Sequence, residues 1–327
     1  MVTSLITGIG GFVASHLADY LIEQEEDVFG TYRWNEDLNN TKHLREKIQF
    51  IPMDLNDLSS CIKCITKVKP DYIYHLAAQS FVNDSFVYPE ETLRTNIIGT
   101  YNLLEAVRLL RNKNFDPVIH VCSSSEVYGL VSKEDIPIKE TLRFNPSNPY
   151  AVSKVGEDMI ALMYFTNYNM KIIRTRMFTH TGPRRVMDSA EVSFCKQIAR
   201  IENGHQEPIL YHGNLNSIRT WADVRDAVRA YHTLTRKCKY GEVYNIGGRT
   251  VKTIGEMLMY LISQSPMKKE IKLCEDKSLL RPYDVTLQIP DCSKFLKETG
   301  WSPTYTFEQT MLDLLNYWRE RVRHSPY

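Results

Sequence analysis

The chain has 327 residues, with 40 Lys and Arg against 39 Asp and Glu, for a formal charge of +1. That length allows a large core and two domains, and so even a balance points neither to nucleic acid nor to an anionic membrane surface. No apolar run reaches the roughly 18 to 20 residues of a membrane helix, and no charged-then-apolar leader is present, so a soluble cytoplasmic protein is expected.

In chain order, TSLIT (3–7) reads as a first strand and GGFVASHLADYLIEQ (10–24) as its helix. Between them, TGIGGFVA places Gly8, Gly11 and Ala14 at G-x-x-G-x-x-A spacing. Gly8 permits the tight turn, Gly11 lets backbone approach a pyrophosphate, and Ala14 lets the helix pack on the strand, which together predict a dinucleotide site that includes Phe12. The second strand, 27–33, ends in GTYRWN, with Thr31 and Arg33 but no acid before Glu36. An acid there would suit the ribose 2′-OH of NAD; Arg33 suits a 2′-phosphate, so NADP is favoured over NAD, although a solvated surface arginine is the plainer alternative. A third strand, 48–54, ends at Asp54, an acceptor for the adenine amine or a cap for the next helix, followed by Leu55.

That helix, LSSCIKCITKV, carries Cys61 and Cys64 as a C-x-x-C. No second pair accompanies them, and the seven cysteines are odd in number and scattered, so reduced thiols are expected and no metal. Strands at 71–77, 117–123 and 171–178 alternate with helices at 90–111 and 149–167, the pattern of a parallel sheet covered on both faces. Beyond Gly182 the alternation stops; AEVSFCKQIARIENG and TIGEMLMYLISQS read as helices between polar loops, and TWADVRDAVRAYHTLTR (220–236) as a helix returning to the first domain. The expectation is an α/β fold: a doubly wound parallel sheet with a smaller mixed α/β substrate domain, divided as 1–180, with 213–245 returning to it, and 181–327.

The fifth strand runs into CSSSEVYG (122–129), three hydroxyls and the carboxylate of Glu126 ahead of Gly129. Taken alone this is a turn or an active site. Tyr150 and Lys154 lie one helical turn apart on one face. A phenol of pKa near 10 is a poor base, and lowering that value by about three pH units needs roughly 4 kcal/mol, which a neighbouring ammonium helps to supply. With Ser124 at the strand end, the pair suits moving a proton on and off a sugar hydroxyl while a nicotinamide exchanges hydride.

TGxxGxxA, HLAAQS, SSSEVYG and YAVSK, in this order and spacing, resemble the extended short-chain dehydrogenase/reductase family, whose first domain is a Rossmann fold. LAAQSFVNDSFVYPEETLRTNIIGTYNLLEAVR (76–108), GPRR (182–185), GNLNSIRTWADVRDAVRAY (213–231) and ETGWSP (298–303) are most similar to its GDP-mannose 4,6-dehydratase and GDP-4-keto-6-deoxymannose reductase group. The resemblance implies that Tyr150, Lys154 and Ser124 form the oxidoreductive set and that Glu126 removes the C5 proton of a hexose. A ketone at C4 makes that proton acidic, the C6 hydroxyl leaves as water, and the hydride borrowed from C4 returns to C6.

It also implies cofactor contacts at Leu76, Ala77 and Ala78, substrate contacts at Gln79, Ser80, Ser125, Thr179 and His180, and a grip on a GDP-linked nucleotide sugar by Arg185, Arg219 and Arg281. The chain departs from family patterns at Ser125, where dTDP-glucose dehydratases carry aspartate, at FTH instead of FNH, and at GGFVASHLAD, which is nearer the reductases. A dehydratase is therefore expected first, with a 4-keto-sugar reductase or epimerase as the alternative and an inactive NADP-binding regulator as the reading from another class. The resemblance further implies a homodimer, through pairing of helices 90–111 and 149–167 into a four-helix bundle, with a tetramer as a further assembly.

Overall fold

Apolar runs rich in Val, Ile and Tyr form a seven-stranded parallel sheet in the computed structural model, which describes residues 1–185, 189–280 and 287–324. The first half contains β1 (Thr3–Thr7), α1 (Phe12–Glu23), β2 (Asp27–Tyr32), β3 (Gln49–Pro52), α2 (Leu58–Val68), β4 (Tyr72–His75), α3 (Val82–Val87), α4 (Pro89–Leu93) and α5 (Gly99–Leu110). It continues through β5 (Val118–Ser124), α6 (Pro149–Tyr168), β6 (Ile172–Met177) and β7 (His180–Thr181). Then come α7 (Ala190–Glu202), β8 (Ile209–His212), β9 (Ile218–Asp223), α8 (Val224–Lys237), β10 (Val243–Ile246) and β11 (Thr250–Thr253). The described chain closes with α9 (Ile254–Ser263), β12 (Lys272–Glu275), β13 (Leu287–Gln288), α10 (Ser293–Thr299) and α11 (Phe307–His324).

The large sheet has the order β10-β6-β5-β4-β1-β2-β3. Successive residues point to opposite faces, and both faces are covered: Ile6 joins Leu17, Leu21, Tyr231 and Leu234 beneath α1 and α8, whereas Leu5 joins Ile65, Leu104 and Ala161 beneath α2, α5 and α6. Each such fully buried leucine or isoleucine side chain stabilises the fold by about 1.5–3 kcal/mol. Strand order reverses at β1, whose neighbours are β2 and β4, so a crevice opens at the carboxyl ends of these strands.

Two expectations need correction. Residues 220–223 are strand, not helix: Thr220 and Trp221 pair antiparallel with β11, and Asp223 then caps α8 by accepting from the Arg225 amide at 2.8 Å. The chain re-enters the large sheet from Val224, with α8 against α1 and β10 beside β6. The expected helix 90–111 is broken by a π-turn at Arg94–Ile98, where Asn96 turns inward to donate to Gln79 O at 2.9 Å and Ser153 Oγ at 2.8 Å.

The outer lobe is built on a mixed sheet of β7, β9, β11 and β13, with α7, α9 and α11 packed around Ile198, Trp221, Leu258 and Leu314. No described helix is long and apolar enough to cross a membrane. Cys61 and Cys64 are both buried on α2, and their thiols are pushed up, chiefly by burial, to about 12 and about 11.

Candidate active site

A cleft of about 560 Å³ crosses the carboxyl edge of the large sheet and extends beneath the outer lobe. It is lined by every site residue singled out from the sequence except Arg281, which lies outside the described residues.

One end is shaped for a dinucleotide. Gly8 has φ +71°, and a Cβ there would lie 2.8 Å from Ala77 Cα, so the turn admits only glycine without backbone displacement. Gly11 begins α1 with no side chain capping the helix and no acid in the first turn, leaving amide donors and a positive dipole end toward the cleft. Thr7 Oγ1 accepts from the Leu76 and Ala77 amides at 3.1 and 3.0 Å, fixing the facing wall that continues to Ala78. Asn102 Nδ2 holds Leu55 O at 2.7 Å.

At the end of β2, Arg33 is exposed, 3.8 Å from the Glu91 carboxylate. Glu36 folds back to accept from the Arg33 amide at 2.9 Å and lies against Gly10; burial holds its carboxyl above the usual range. Asp54 is exposed and accepts from the Asn56 amide at 2.9 Å, while the cap of α2 is Asp57, accepting from Ser59 at 2.8 Å. The capping alternative for Asp54 is thus corrected: two acids three residues apart competed for it, and the helix starts after the second. These donors and acceptors, set around a glycine cradle, fit a dinucleotide.

The other end gathers the reactive groups. β5 stops at Ser124, whose hydroxyl accepts from the Glu126 amide at 3.2 Å and starts a tight turn. The turn closes at Gly129, with φ +59°, where a Cβ would fall 1.7 Å from Asn145 O. This places the half-buried Glu126 carboxylate beside α6, where Oε2 accepts from Asn148 Nδ2 at 3.3 Å. Asn148 also caps α6, its Oδ1 accepting from the Ala151 amide at 2.7 Å, and Pro149 sets the first turn.

Tyr150 and Lys154 then face the cleft, with Nζ 6.0 Å from the phenol ring centroid. Lys154 donates to Cys122 O at 2.8 Å and to Glu157 Oε2 at 2.7 Å. Burial pushes the Tyr150 phenol up, while the Lys154 ammonium and a hydrogen bond with Ser124 pull it down. Burial opposes the Lys154 charge most strongly, but Glu157, Tyr150 and Cys122 together outweigh it and the ammonium is retained; burial in turn raises Glu157 against the pull of Lys154. Beneath these groups, His75 bridges Thr7 and Thr100 at 2.9 Å each. Thr100 donates to Asn96 O and Asn96 to Ser153, so one buried network joins the glycine turn to α6.

Toward the outer lobe the cleft passes Ser80, the buried Ser125, Thr179 and His180. His180 Nδ1 donates to Phe178 O at 3.0 Å, and the ring stacks on Phe12; burial and then Arg185 push it down to about 4, so it is neutral at pH 7. Arg185 lies over the Phe12 ring, donates to His180 O at 2.5 Å and sits 3.1 Å from the Glu191 carboxylate. Arg219 is on β9, directly opposite Gln288 in register.

Gln288 was not foreseen: it is 2% exposed, lines the cleft, and its amide nitrogen has no partner among the described residues. Asn148 and Glu157 were also missed, although both had local signals: a capping residue before a helix-opening proline, and an acid three residues after a lysine.

The chain matches the GDP-mannose 4,6 dehydratase family over residues 5–314. It is 30% identical to GDP-6-deoxy-D-mannose reductase of Pseudomonas aeruginosa over 320 residues, covering 98% of each chain. It is also 30% identical to GDP-mannose 4,6-dehydratase of Yersinia enterocolitica over 353 residues, covering 96% of this chain and 93% of the relative. Among solved structures, that of RMD from Pseudomonas aeruginosa complexed with NADPH superposes with a TM-score of 0.83 at 28% identity, covering 98% of this chain and 100% of the other. The likeness read from the glycine turn, SSSEVYG and YAVSK thus extends over the whole fold, and the chain belongs to the GDP-mannose 4,6 dehydratase family.

Proposed function

We propose that the protein is a nucleotide-sugar 4,6-dehydratase that converts a GDP-hexose such as GDP-mannose to its 4-keto-6-deoxy form with NADP retained through the cycle. The observation that carries this reading is the Glu126 carboxylate, held by Asn148 in the same cleft as Ser124, Tyr150 and Lys154. Alcohol oxidation uses only the last three; a carboxylate beside them serves a carbon acid.

In this reading Gly8, Gly11 and Phe12 receive the pyrophosphate, Arg33 the 2′-phosphate, and Asp54 and Leu55 the adenine, with Leu76, Ala77 and Ala78 along the opposite wall. The RMD structure with NADPH supports the choice of NADP. When bound, the nicotinamide would supply the hydride exchange between C4 and C6, with no net redox change. Ser124 hydrogen-bonds the C4 hydroxyl and Tyr150 takes its proton, with Lys154 stabilising the phenolate. Glu126 removes the C5 proton once C4 is a ketone and passes it to the departing C6 hydroxyl; C5 regains a proton as the hydride returns to C6, balancing the one that Tyr150 took. Arg185 and Arg219 hold the diphosphate, their planar forks suited to it, while Ser80, Ser125, Thr179 and His180 border the sugar.

Residues 1–180, with the return from Val224, hold the cofactor, and the outer lobe holds the nucleotide sugar. The reading includes a cytoplasmic homodimer joined through α5 and α6, supported by the exposed apolar residues Tyr101, Leu109, Val152, Met159 and Met163 on those helices.

The similarity to GDP-6-deoxy-D-mannose reductase supports a second reading, reduction of the 4-keto-6-deoxy sugar. Incubation of the purified protein with GDP-mannose, with and without NADPH, followed by mass spectrometry, separates the two. Loss of one water without added reductant is expected. No change in GDP-mannose, with NADPH-dependent reduction of the 4-keto-6-deoxy sugar, overturns the dehydratase reading in favour of the reductase.

A further inference from the structure

One buried carboxylate on the catalytic helix has no part in this chemistry. Glu157 lies three residues beyond Lys154 on α6, its side chain 1% exposed and Oε2 2.7 Å from Nζ. An ammonium has three donors. Cys122 O takes one and Glu157 another, so two are fixed inside the protein and the lysine is anchored from below the cleft.

The carboxylate also changes what that lysine does to its neighbour. The ammonium, 6.0 Å from the Tyr150 ring centroid, favours a phenolate there, and a negative charge 2.7 Å from the same ammonium offsets part of that effect in a site where water screens little. The other titratable groups facing the pair do not substitute for it. Asp158 is occupied by Arg174 and Arg176 at 2.6 and 2.9 Å. His75 and His120 are neutral, both pushed down to about 3 chiefly by burial, and burial keeps the Cys122 thiol protonated.

We propose that Glu157 is a positioning residue that anchors Lys154 and, by countering its charge, keeps the Tyr150 phenol a proton donor over a wider pH range. The proposal rests on the reading of Tyr150 as the acid–base group, and makes retention of the proton taken from the C4 hydroxyl the state that Glu157 favours. Burial, followed by Lys154 and Ser124, dominates the Tyr150 proton affinity, with Glu157 acting in the upward direction.

Glu157→Gln keeps the shape and an acceptor for Nζ while removing the charge. Tyrosine ring carbons are isotopically labelled in the dinucleotide-loaded protein, the Tyr150 resonance is assigned by its loss in Tyr150→Phe, and its titration is followed by NMR from about pH 7 to about pH 11. The Tyr150 midpoint is expected to fall by about one pH unit in Glu157→Gln. A midpoint that stays, rises, or lies beyond the range in both proteins overturns the proposal. If the glutamine variant does not fold, Glu157→Met is held to the same shift. No substrate is present, so a wrong sugar or a wrong reaction direction shows in the product assay and leaves this titration untouched.

Discussion

Replacing Asn148 by serine separates two tasks that one amide performs. Its Oδ1 caps α6 at 2.7 Å from the Ala151 amide, and its Nδ2 reaches Glu126 Oε2 at 3.3 Å. Serine caps a helix about as well as asparagine, so the unfolding temperature should change by less than about 1 °C. The serine hydroxyl, held at the cap, is too short to replace the amide nitrogen that reaches Glu126. A hydrogen bond to a charged group at the long end of the distance range contributes about 1 kcal/mol, so turnover should fall about fivefold at unchanged KM. Asn148→Ala loses both contacts, and should add a stability loss of about 1 kcal/mol to the same loss of rate. The assay is turnover of GDP-mannose and of its C5-deuterated form: if Asn148 aims the base, the isotope effect grows in the serine variant because proton removal becomes slower relative to the other steps. Full activity in Asn148→Ser, or an unfolding temperature lowered as far as in the alanine variant, would refute the division of labour.

Acidification should destabilise the fold before any carboxylate of ordinary strength titrates. His16, His75, His120 and His180 are pushed down to about 4, 3, 3 and 4, chiefly by burial. The unfolded chain therefore binds protons near pH 6.5 that the native state refuses, and stability is lost as pH falls below that value. Between about pH 7.5 and 5.5 each histidine should remove about 1.4 kcal/mol, partly offset by the raised carboxyls of Glu36 and Glu157, which bind protons more readily when folded. Equal urea stability at the two pH values would contradict this. Asp158→Asn leaves two buried guanidiniums without their counter-charge and should cost about 3–5 kcal/mol, lowering the urea midpoint without changing the slope; a loss under about 1 kcal/mol would count against the pair. Charging the exposed face of α6 with Met159→Lys and Met163→Lys should convert the proposed dimer of the 38.0 kDa chain into monomers in sedimentation, and a chain already monomeric, or unchanged sedimentation, would count against pairing through this face.

Signals carried by neighbouring residues survived the passage from sequence to structure. The spacing of Gly8, Gly11 and Ala14 and the one-turn separation of Tyr150 and Lys154 depend only on local geometry, and both meet the cleft as expected. Expectations failed where distant partners decide. TWAD carries a plausible helical pattern, yet Thr220 and Trp221 are strand because β11 offers them a ladder. The interruption at Arg94–Ile98 follows from the inward turn of Asn96, whose partners Gln79 and Ser153 lie 17 and 57 residues away. Gln288 had no local mark at all; only the parallel pairing of β13 with β9 brings it beside Arg219.

The single segment that carries Arg219 on β9 and then packs α8 against α1 makes the two lobes inseparable as building blocks. A fragment ending near residue 180 would lack β10 and α8, leaving Ile6, Tyr74 and Ile173 without the partners that cover that face. An outer lobe from a relative cannot therefore be grafted after β6 as a cassette. The exchange has to be made in two pieces around Val224–Ile246, retaining the host's own return, and the recombination points that preserve folding lie within the chain's middle, at Asp223 and after Ile246.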